Sequence, residues 1–177
     1  YKDGNFYISN FETGGNGNTN FYNGGATRLT ISQDGYVTKP NTPFFSVYGS
    51  ANNQSYTNDF ITFENVYHNV GGHFKTTSGT GQYERFIAPV TGVYIFTFGF
   101  FPNSASNCRI QLNLNGTNIT TPYISGSFTA WGAGVGVPAG SQMLKVNAGE
   151  YVAVKVTSGT LSNTYDGHTG FQGFLLG

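Results

Sequence analysis

The chain has 177 residues, and its eight Lys and Arg balance its eight Asp and Glu, so the formal net charge is zero. Only 9% of the residues are charged, compared with about 25% in an ordinary globular domain. Nucleic acids and anionic lipid surfaces are bound through basic patches, so this composition argues against both as partners. No apolar run approaches the ~20 residues that span a bilayer, so we also expect no membrane insertion.

The number of cysteines limits which covalent links and metal sites the chain can form. The single cysteine, Cys108, excludes an internal disulfide and any metal site built from several cysteines. Nothing in the sequence indicates a cofactor. The chain begins at Tyr1 rather than at Met, so we expect it to be a piece of a longer polypeptide.

Residues 1–42 differ from the rest of the chain because they contain very few aliphatic side chains. Two short strands, Thr27–Ile31 and Tyr36–Thr38, are predicted on either side of Asp34-Gly35, a dipeptide that favours tight turns. The segment has too little apolar surface to offset the entropy of ordering its backbone. We therefore predict a short β-rich stalk segment that is flexible or is ordered only by other chains.

Residues 43–177 are predicted to form one all-β domain. Short runs of β-branched and aromatic residues recur at regular spacing, and clusters of Gly, Asn, Ser and Thr separate them, a pattern typical of an antiparallel sandwich. The ten predicted strands are Phe44–Tyr48, Phe60–Phe63, Tyr83–Ala88, Val93–Phe101, Cys108–Leu114, Thr117–Thr120, Phe128–Val135, Gln142–Val146, Tyr151–Val156 and Phe171–Leu176.

The strand that begins near Val93 is apolar on both faces. Val93 and Ile95 lie on one face, and four aromatic residues, Tyr94, Phe96, Phe98 and Phe100, lie on the other. Four exposed aromatic side chains would leave roughly 600–1,000 Å² in solvent, at a cost of 15–25 kcal/mol as an upper bound. We assign the four aromatic residues to the core or to an interface between subunits. One face would be covered by the second sheet, and the other by loops of the chain or, as we favour, by a neighbouring subunit.

The aromatic residues also carry a resemblance to a known family. Phe63, Asn69 and Phe74 are spaced by six and five residues, and Phe86 is followed by Gly92, Tyr94, Phe96 and Phe98. This pattern resembles the signature of the C1q globular heads, which belong to the tumour-necrosis-factor-like jelly rolls. Three later stretches, 112–116, 146–154 and 171–176, resemble the later strands of the family, so the likeness covers residues 43–177.

The resemblance implies a ten-strand jelly roll that assembles as a homotrimer, with aromatic residues near the threefold axis and no enzymatic activity. Two features depart from the family pattern. Residues 76–81 form an insertion rich in Gly, Ser and Thr, and Glu150 stands where relatives often carry Asp, which weakens any transfer of a calcium site.

Residues 28–40 resemble the necks that precede such heads in phage tail fibres. This likeness implies a virion structural protein in a tail fibre or knob, outside the cell. Its partners would be a host cell-surface glycan or protein receptor and other phage tail proteins. Two alternatives stay open, namely a purely structural trimerisation or assembly module of a phage tail and a secreted C1q-like recognition head.

The sequence contains no convincing motif of a catalytic site. The acidic residues are scattered, and neither a nucleophile elbow nor a Walker loop occurs. Glu64 and Glu84 could meet in space, but we do not expect them to act as a glycosidase pair. His68 and His73 are weak candidates for a metal on the trimer axis, and we predict no metal site.

Four aromatic and polar residues between the predicted strands, and Trp131 within the strand predicted over Phe128–Val135, are the candidates for receptor contact. Low charge favours recognition by hydrogen bonds and aromatic stacking rather than by ion pairs. The predicted contact residues are Tyr123, Trp131, Tyr165, Asp166 and His168.

Overall fold

A computed structural model describes residues 17–49, 54–76, 84–100, 104–119, 128–129, 139–163 and 169–176. The chain divides between Thr42 and Pro43 into two compact units. Among the described residues, the one helix is a single 3₁₀ turn, Val70–Gly72, and none is long and apolar enough to cross a membrane. The predicted all-β class is therefore confirmed.

The first unit contains a three-stranded antiparallel sheet, here called the N-terminal sheet. Its strands are β1 (Thr19–Asn23), β2 (Ala26–Ile31) and β3 (Val37–Thr38), in that order across the sheet. The sequence analysis missed β1, because in its sequence TNFYN the two aromatic residues are adjacent and do not alternate with polar ones. Gly24 and Gly25 both have positive φ, which allows the tight connection between β1 and β2.

The second unit is a sandwich of two antiparallel sheets. One sheet has five strands in the order β13-β9-β15-β4-β6. Their bounds are Phe44–Tyr48 for β4, Asn65–Asn69 for β6, Gly92–Phe100 for β9, Ala139–Val146 for β13 and Thr169–Leu175 for β15. The long strand β9 lies between β13 and β15, so the apolar stretch found in the sequence is an inner strand of this sheet.

The other sheet has seven strands, with the path β11-β10-β14-β8-β7 and with β12 and β5 paired to β10 and β14. The strands are β5 (Gln54–Thr57), β7 (Phe74–Lys75), β8 (Arg85–Ile87), β10 (Ser104–Leu114), β11 (Thr117–Asn118), β12 (Phe128–Thr129) and β14 (Tyr151–Asn163). The turn between β10 and β11 uses Asn115 and Gly116, both at positive φ, as the Asn-Gly pair predicts.

Aromatic packing between the two sheets forms the core. Phe45 from the five-stranded sheet has its ring 5.0 Å from those of Phe74 and Phe86, which belong to the seven-stranded sheet, and 4.9 Å from Phe171 beside it. The antiparallel jelly-roll prediction is confirmed, although the head has twelve strands among its described residues rather than about ten.

Several predicted strands differ from those observed. Residues 60–63 are not a strand, because Phe60 makes only an isolated bridge to Lys155 and the backbone then leaves the ladder. Ile61 and Phe63 are nevertheless buried, which explains the misleading apolar pattern. Strands β5 and β6 were missed because their sequences, QSYT and NVYHN, carry no apolar alternation.

One polar residue of β10 is buried. Asn113 is fully enclosed, and its side chain organises the adjacent hairpin. Its Nδ2 donates to Asn118 Oδ1 at 2.8 Å, and its Oδ1 accepts from the Gly116 amide at 2.9 Å. The short hairpin therefore satisfies the buried asparagine within the chain.

Candidate interaction surface

The aromatic residues of β9 lie inside the chain's own sandwich. Tyr94, Phe96, Phe98 and Phe100 are each no more than 2% exposed and belong to the core cluster. The Tyr94 hydroxyl donates to the carbonyl of Val90 at 2.8 Å, and burial raises the pKa of this tyrosine. Because the opposite sheet covers these rings, any contact between subunits must use other residues.

The other side of the five-stranded sheet, here called the outer face, is apolar at one end. Met143 and Phe174 are the cross-strand partners of Ile95, and Phe44 is the partner of Phe174. Val93 and Leu176 belong to the same end, since the Leu176 amide donates to the Val93 carbonyl. Val93, Met143, Phe174 and Leu176 are between 40% and 65% exposed, so the described residues leave much of this surface in solvent.

A shallow recess occupies the opposite end of the outer face, with a volume of about 380 Å³. Gly99 and Gly170 are cross-strand partners at its floor, where the absence of side chains leaves space. The rings of Tyr48 and Tyr67 lie 4.7 Å apart between centroids at its rim. Ser46, Thr97 and Gln172 add polar groups, so the recess can accept a ring or side chain of a partner by stacking and hydrogen bonding.

The two candidate metal histidines lie in different settings. His68 is exposed in β6, with its ring 5.4 Å from that of Phe44. His73 follows the 3₁₀ turn, and burial lowers its pKa, with a smaller contribution from the positive charge of Lys75. Among the described residues, no group of three or more potential metal ligands comes together.

The spacing of the family signature has a direct structural cause. Asn69 and Phe74 flank the reversal at the 3₁₀ turn, where Gly71 and Gly72 have positive φ. Asn69 Nδ2 donates to the Phe74 carbonyl, and the Phe74 amide donates to Asn69 Oδ1, both at 2.9 Å. This paired bond joins the end of β6 to the start of β7 and so links the two sheets.

A buried carboxyl group was not identified from the sequence. Glu84, just before β8, is 5% exposed, and its Oε2 accepts a hydrogen bond from the Phe63 amide. Burial raises the pKa of Glu84 from 4.5 to about 7; the Phe63 amide opposes the shift, and the charge of Glu64 adds to it. Glu64 and Glu84 are therefore close, but Glu84 bonds the backbone of its own chain instead of facing an open cleft.

Glu150, the second departure from the family pattern, has a local structural role. Its Oε2 accepts from the Asn147 amide at 2.7 Å, and the Glu150 amide donates to the Asn147 carbonyl. Gly149 has a φ of 85°, so the turn requires a residue that tolerates the left-handed region. The carboxylate thus closes the β13–β14 turn.

The predicted contact residues Tyr123, Trp131, Tyr165, Asp166 and His168 all lie outside the described residues. The ends of the adjoining strands are nevertheless defined. Ala139 pairs with Gly99, and Thr169 pairs with Phe100, so these first residues of β13 and β15 lie at one end of the five-stranded sheet. The recess at Gly99 and Gly170 lies at that same end.

Comparison with known families gives one match that spans most of the second unit. The model of the C1q domain matches residues 44–176. Complement C1q tumor necrosis factor-related protein 3 from Mus musculus and from Homo sapiens are each 30% identical to the chain over 120 residues. These stretches are 67% of this chain but 45% of each relative, so the chain matches less than half the length of these relatives.

Solved structures show the same fold. The globular domain of zebrafish complement 1qA protein is 22% identical, with a TM-score of 0.56, over 77% of this chain and 98% of that domain. The Eiger TNF of S. frugiperda is 14% identical, with a TM-score of 0.53, over 77% of this chain and 94% of that structure.

Proposed function

The chain belongs to the C1q domain family, and on that premise we propose that it is the homotrimeric recognition head of a longer extracellular protein. C1q and tumour-necrosis-factor-like domains typically form homotrimers and bind receptors, and members of the C1q family are non-enzymatic recognition or structural proteins. The head would bind a cell-surface glycan or protein through three equal sets of contacts.

The apolar end of the outer face is the observation that carries this proposal. Phe174 and Met143 flank Ile95 across three adjacent strands, and Val93 and Leu176 extend the patch. Lys145 is the charged side chain on these strands, opposite Val93 at the margin. A surface so poor in charge and rich in large apolar groups has the composition of an interface centre, where charged residues are depleted.

Multivalent binding supplies the mechanism. Three identical contact sets on one rigid trimer make the second and third contacts intramolecular, which raises the overall affinity by orders of magnitude without new contacts. We propose that these contacts come from Tyr123, Trp131, Tyr165, Asp166 and His168. Support for Trp131, Tyr165, Asp166 and His168 comes from Ala139 and Thr169, which follow them in the chain and lie at the end of the sheet that also carries the recess.

The proposal is tested by comparing how strongly the wild-type trimer and a variant that should be monomeric bind to cells. Labelled protein is titrated onto receptor-bearing cells beside the variant Phe174→Asp, which places a charge in the apolar patch. We expect apparent affinity to fall by at least about 100-fold as avidity is lost. Ser158→Asp, at an exposed strand position in the other sheet, is the matched control and should bind like the wild type. Equal binding by Phe174→Asp would refute the multivalent mechanism.

The contact residues require a separate test. Tyr165→Ala and His168→Ala should weaken cell binding about tenfold or more while the trimer mass stays unchanged. Strong binding by a variant that carries both changes would show that the contact site is elsewhere.

A tail-fibre setting remains a second candidate. One observation favours it: a short antiparallel sheet, β1–β3, precedes the head where many animal relatives have a collagen-like repeat. The curated relatives reported above are mammalian proteins, and they favour the recognition head over the virion fibre. Identification of the genes beside the coding sequence would separate the two, since phage structural neighbours are expected only for the fibre.

A further inference from the structure

The chain contains three Asn-Gly pairs, and the structure describes both residues of two of them. Asn23-Gly24 lies at the turn between β1 and β2, and Asn115-Gly116 forms the turn between β10 and β11. In an Asn-Gly pair the glycine nitrogen can attack the asparagine side chain easily, because glycine has no Cβ to obstruct the approach. In a folded protein the attack depends on how firmly the two reacting groups are held.

The reaction exchanges the side-chain amide for a carboxyl group. At Asn23 the Gly24 backbone nitrogen would lose its proton and form a bond to Cγ. The bond from Cγ to the side-chain nitrogen would break, and that nitrogen would leave as ammonia with the proton. Water then adds to either carbonyl carbon of the cyclic imide and opens the ring. The product is aspartate or isoaspartate, and both carry a negative charge that asparagine lacks.

The Asn-Gly pair of the second unit is held apart by hydrogen bonds. The Gly116 amide, which would be the nucleophile, donates to Oδ1 of the fully buried Asn113 at 2.9 Å. The Asn115 side chain is also engaged, since its Oδ1 accepts from the Tyr151 amide at 2.9 Å. Each reacting group must therefore break a hydrogen bond before the two can meet.

The Asn-Gly pair of the N-terminal sheet lacks these restraints. Asn23 and Gly24 are exposed, and among the described residues nothing bonds the Gly24 amide or the Asn23 side chain. The turn is also open, because a Cβ built on Gly25 would meet no atom within 4 Å. The Asn23 side chain is therefore free to rotate onto the Gly24 nitrogen.

Arg28 places a positive charge at the peptide unit that would react. Its Nε donates to the Asn23 carbonyl at 3.1 Å, and its Nη2 lies 3.7 Å from a Cβ built on Gly24. The attacking nitrogen is the deprotonated amide, and its negative charge is shared with the Asn23 carbonyl oxygen because the peptide bond is delocalised. A guanidinium stays charged in proteins, so this hydrogen bond favours loss of the Gly24 proton.

We propose that Asn23 is a site of spontaneous deamidation in the folded protein, that Arg28 accelerates the reaction, and that the hairpin around Asn115 prevents it there. The product adds one negative charge to a chain whose formal net charge is zero. Isoaspartate also lengthens the main chain at the turn between β1 and β2. The modification thus changes the N-terminal sheet and spares the β10–β11 hairpin.

Incubation of the folded 177-residue chain at mildly alkaline pH tests the site. Samples are digested, and fragmentation mass spectrometry measures how much of each asparagine has been converted. We expect Asn23 to react at least about tenfold faster than Asn115, since a factor of ten corresponds to about 1.4 kcal/mol, the size of one typical hydrogen bond. In concentrated urea the two rates should converge, because both asparagines then precede glycine in an unfolded chain. Equal rates in the folded chain, or the same difference in urea, would overturn the proposal.

Two variants that each remove one positive charge test the role of Arg28. Arg28→Gln should slow the reaction of Asn23 by about threefold or more, because the charge on the Asn23 carbonyl is lost. Lys39→Gln, at an exposed position of the same unit, is the matched control and should react like the wild type. An unchanged or higher rate in Arg28→Gln would overturn the role of the guanidinium.

Asn113→Ala tests the protection of the second pair. It frees the Gly116 amide, so Asn115 should react at least about tenfold faster while the rate at Asn23 stays the same. Circular dichroism establishes that the variant is folded; if it is not, the comparison of the wild type in buffer and in urea decides. A folded variant with an unchanged rate at Asn115 would show that Asn113 does not protect the turn.

Discussion

Gly173 lies opposite Phe96 across the β15–β9 pair, and a Cβ built on Gly173 would stand 2.7 Å from the Phe96 ring. The same Cβ would stand 2.7 Å from the ring of Phe45 on the other neighbouring strand. Real Cβ atoms do not approach aromatic carbons so closely, and the rings are held by the packed core. The aromatic residues of β4 and β9 therefore require glycine at this position of β15.

Gly173→Ala is predicted to destabilise the head by about 1–3 kcal/mol, because the core must shift to admit one methyl group. Urea unfolding measures the change. Gly170→Ala on the same strand is the control, since its Cβ would meet the Val47 carbonyl oxygen at an ordinary 3.9 Å. Equal stability of the two variants would mean that the rings are free to move.

Asn69→Ala is predicted to cost about 1–3 kcal/mol, since it removes both hydrogen bonds to the Phe74 backbone and leaves two backbone groups without their partner. Asn65→Ala, at the other end of β6, should change stability by no more than about 0.5 kcal/mol. Thermal or urea unfolding of both variants tests this prediction. A loss in Asn69→Ala no larger than in Asn65→Ala would show that the paired bond has no special role.

Glu84 is predicted to make stability depend on pH. Its pKa of about 7 in the folded protein exceeds the ordinary 4.5, so the folded state holds the proton more tightly between these values. The free energy of unfolding should therefore fall as the pH rises from 4.5 to 7, by up to about 3 kcal/mol, and stay low above pH 7.

Glu84→Gln isolates this effect, because the amide oxygen can still accept from the Phe63 amide but cannot ionise. The difference in unfolding free energy between pH 5 and pH 8 should shrink by about 2–3 kcal/mol relative to the wild type. Glu64→Gln, at an exposed position, is the comparison. An unchanged pH dependence in Glu84→Gln would mean that Glu84 is already ionised in the folded protein at pH 5.

Much of the fold follows from local sequence, and the inner strand β9 shows why. The alternation in Gly92–Phe100 places Tyr94 and Phe96 on the face that the structure buries, and it also shows that the face bearing Val93 and Ile95 is apolar. The Asn115-Gly116 turn was likewise predictable, since the turn needs positive φ.

Other features depend on contacts that no local pattern reveals. The edge strand Asn65–Asn69 has mostly exposed side chains, so its pairing with β4 leaves no apolar period. The burial of Glu84 arises from the Phe63 amide, 21 residues away, and the outer apolar patch appears only when β13, β9 and β15 are aligned. The contact residues Tyr165 and His168 stay a prediction.

Sedimentation equilibrium of the 177-residue chain at micromolar concentration tests the central claim most directly, namely that the outer face joins three copies. The account predicts three times the 19.0 kDa mass of the chain for the wild type, and a shift towards a single copy for Phe174→Asp. A wild-type mass of one chain across the concentration range would contradict it.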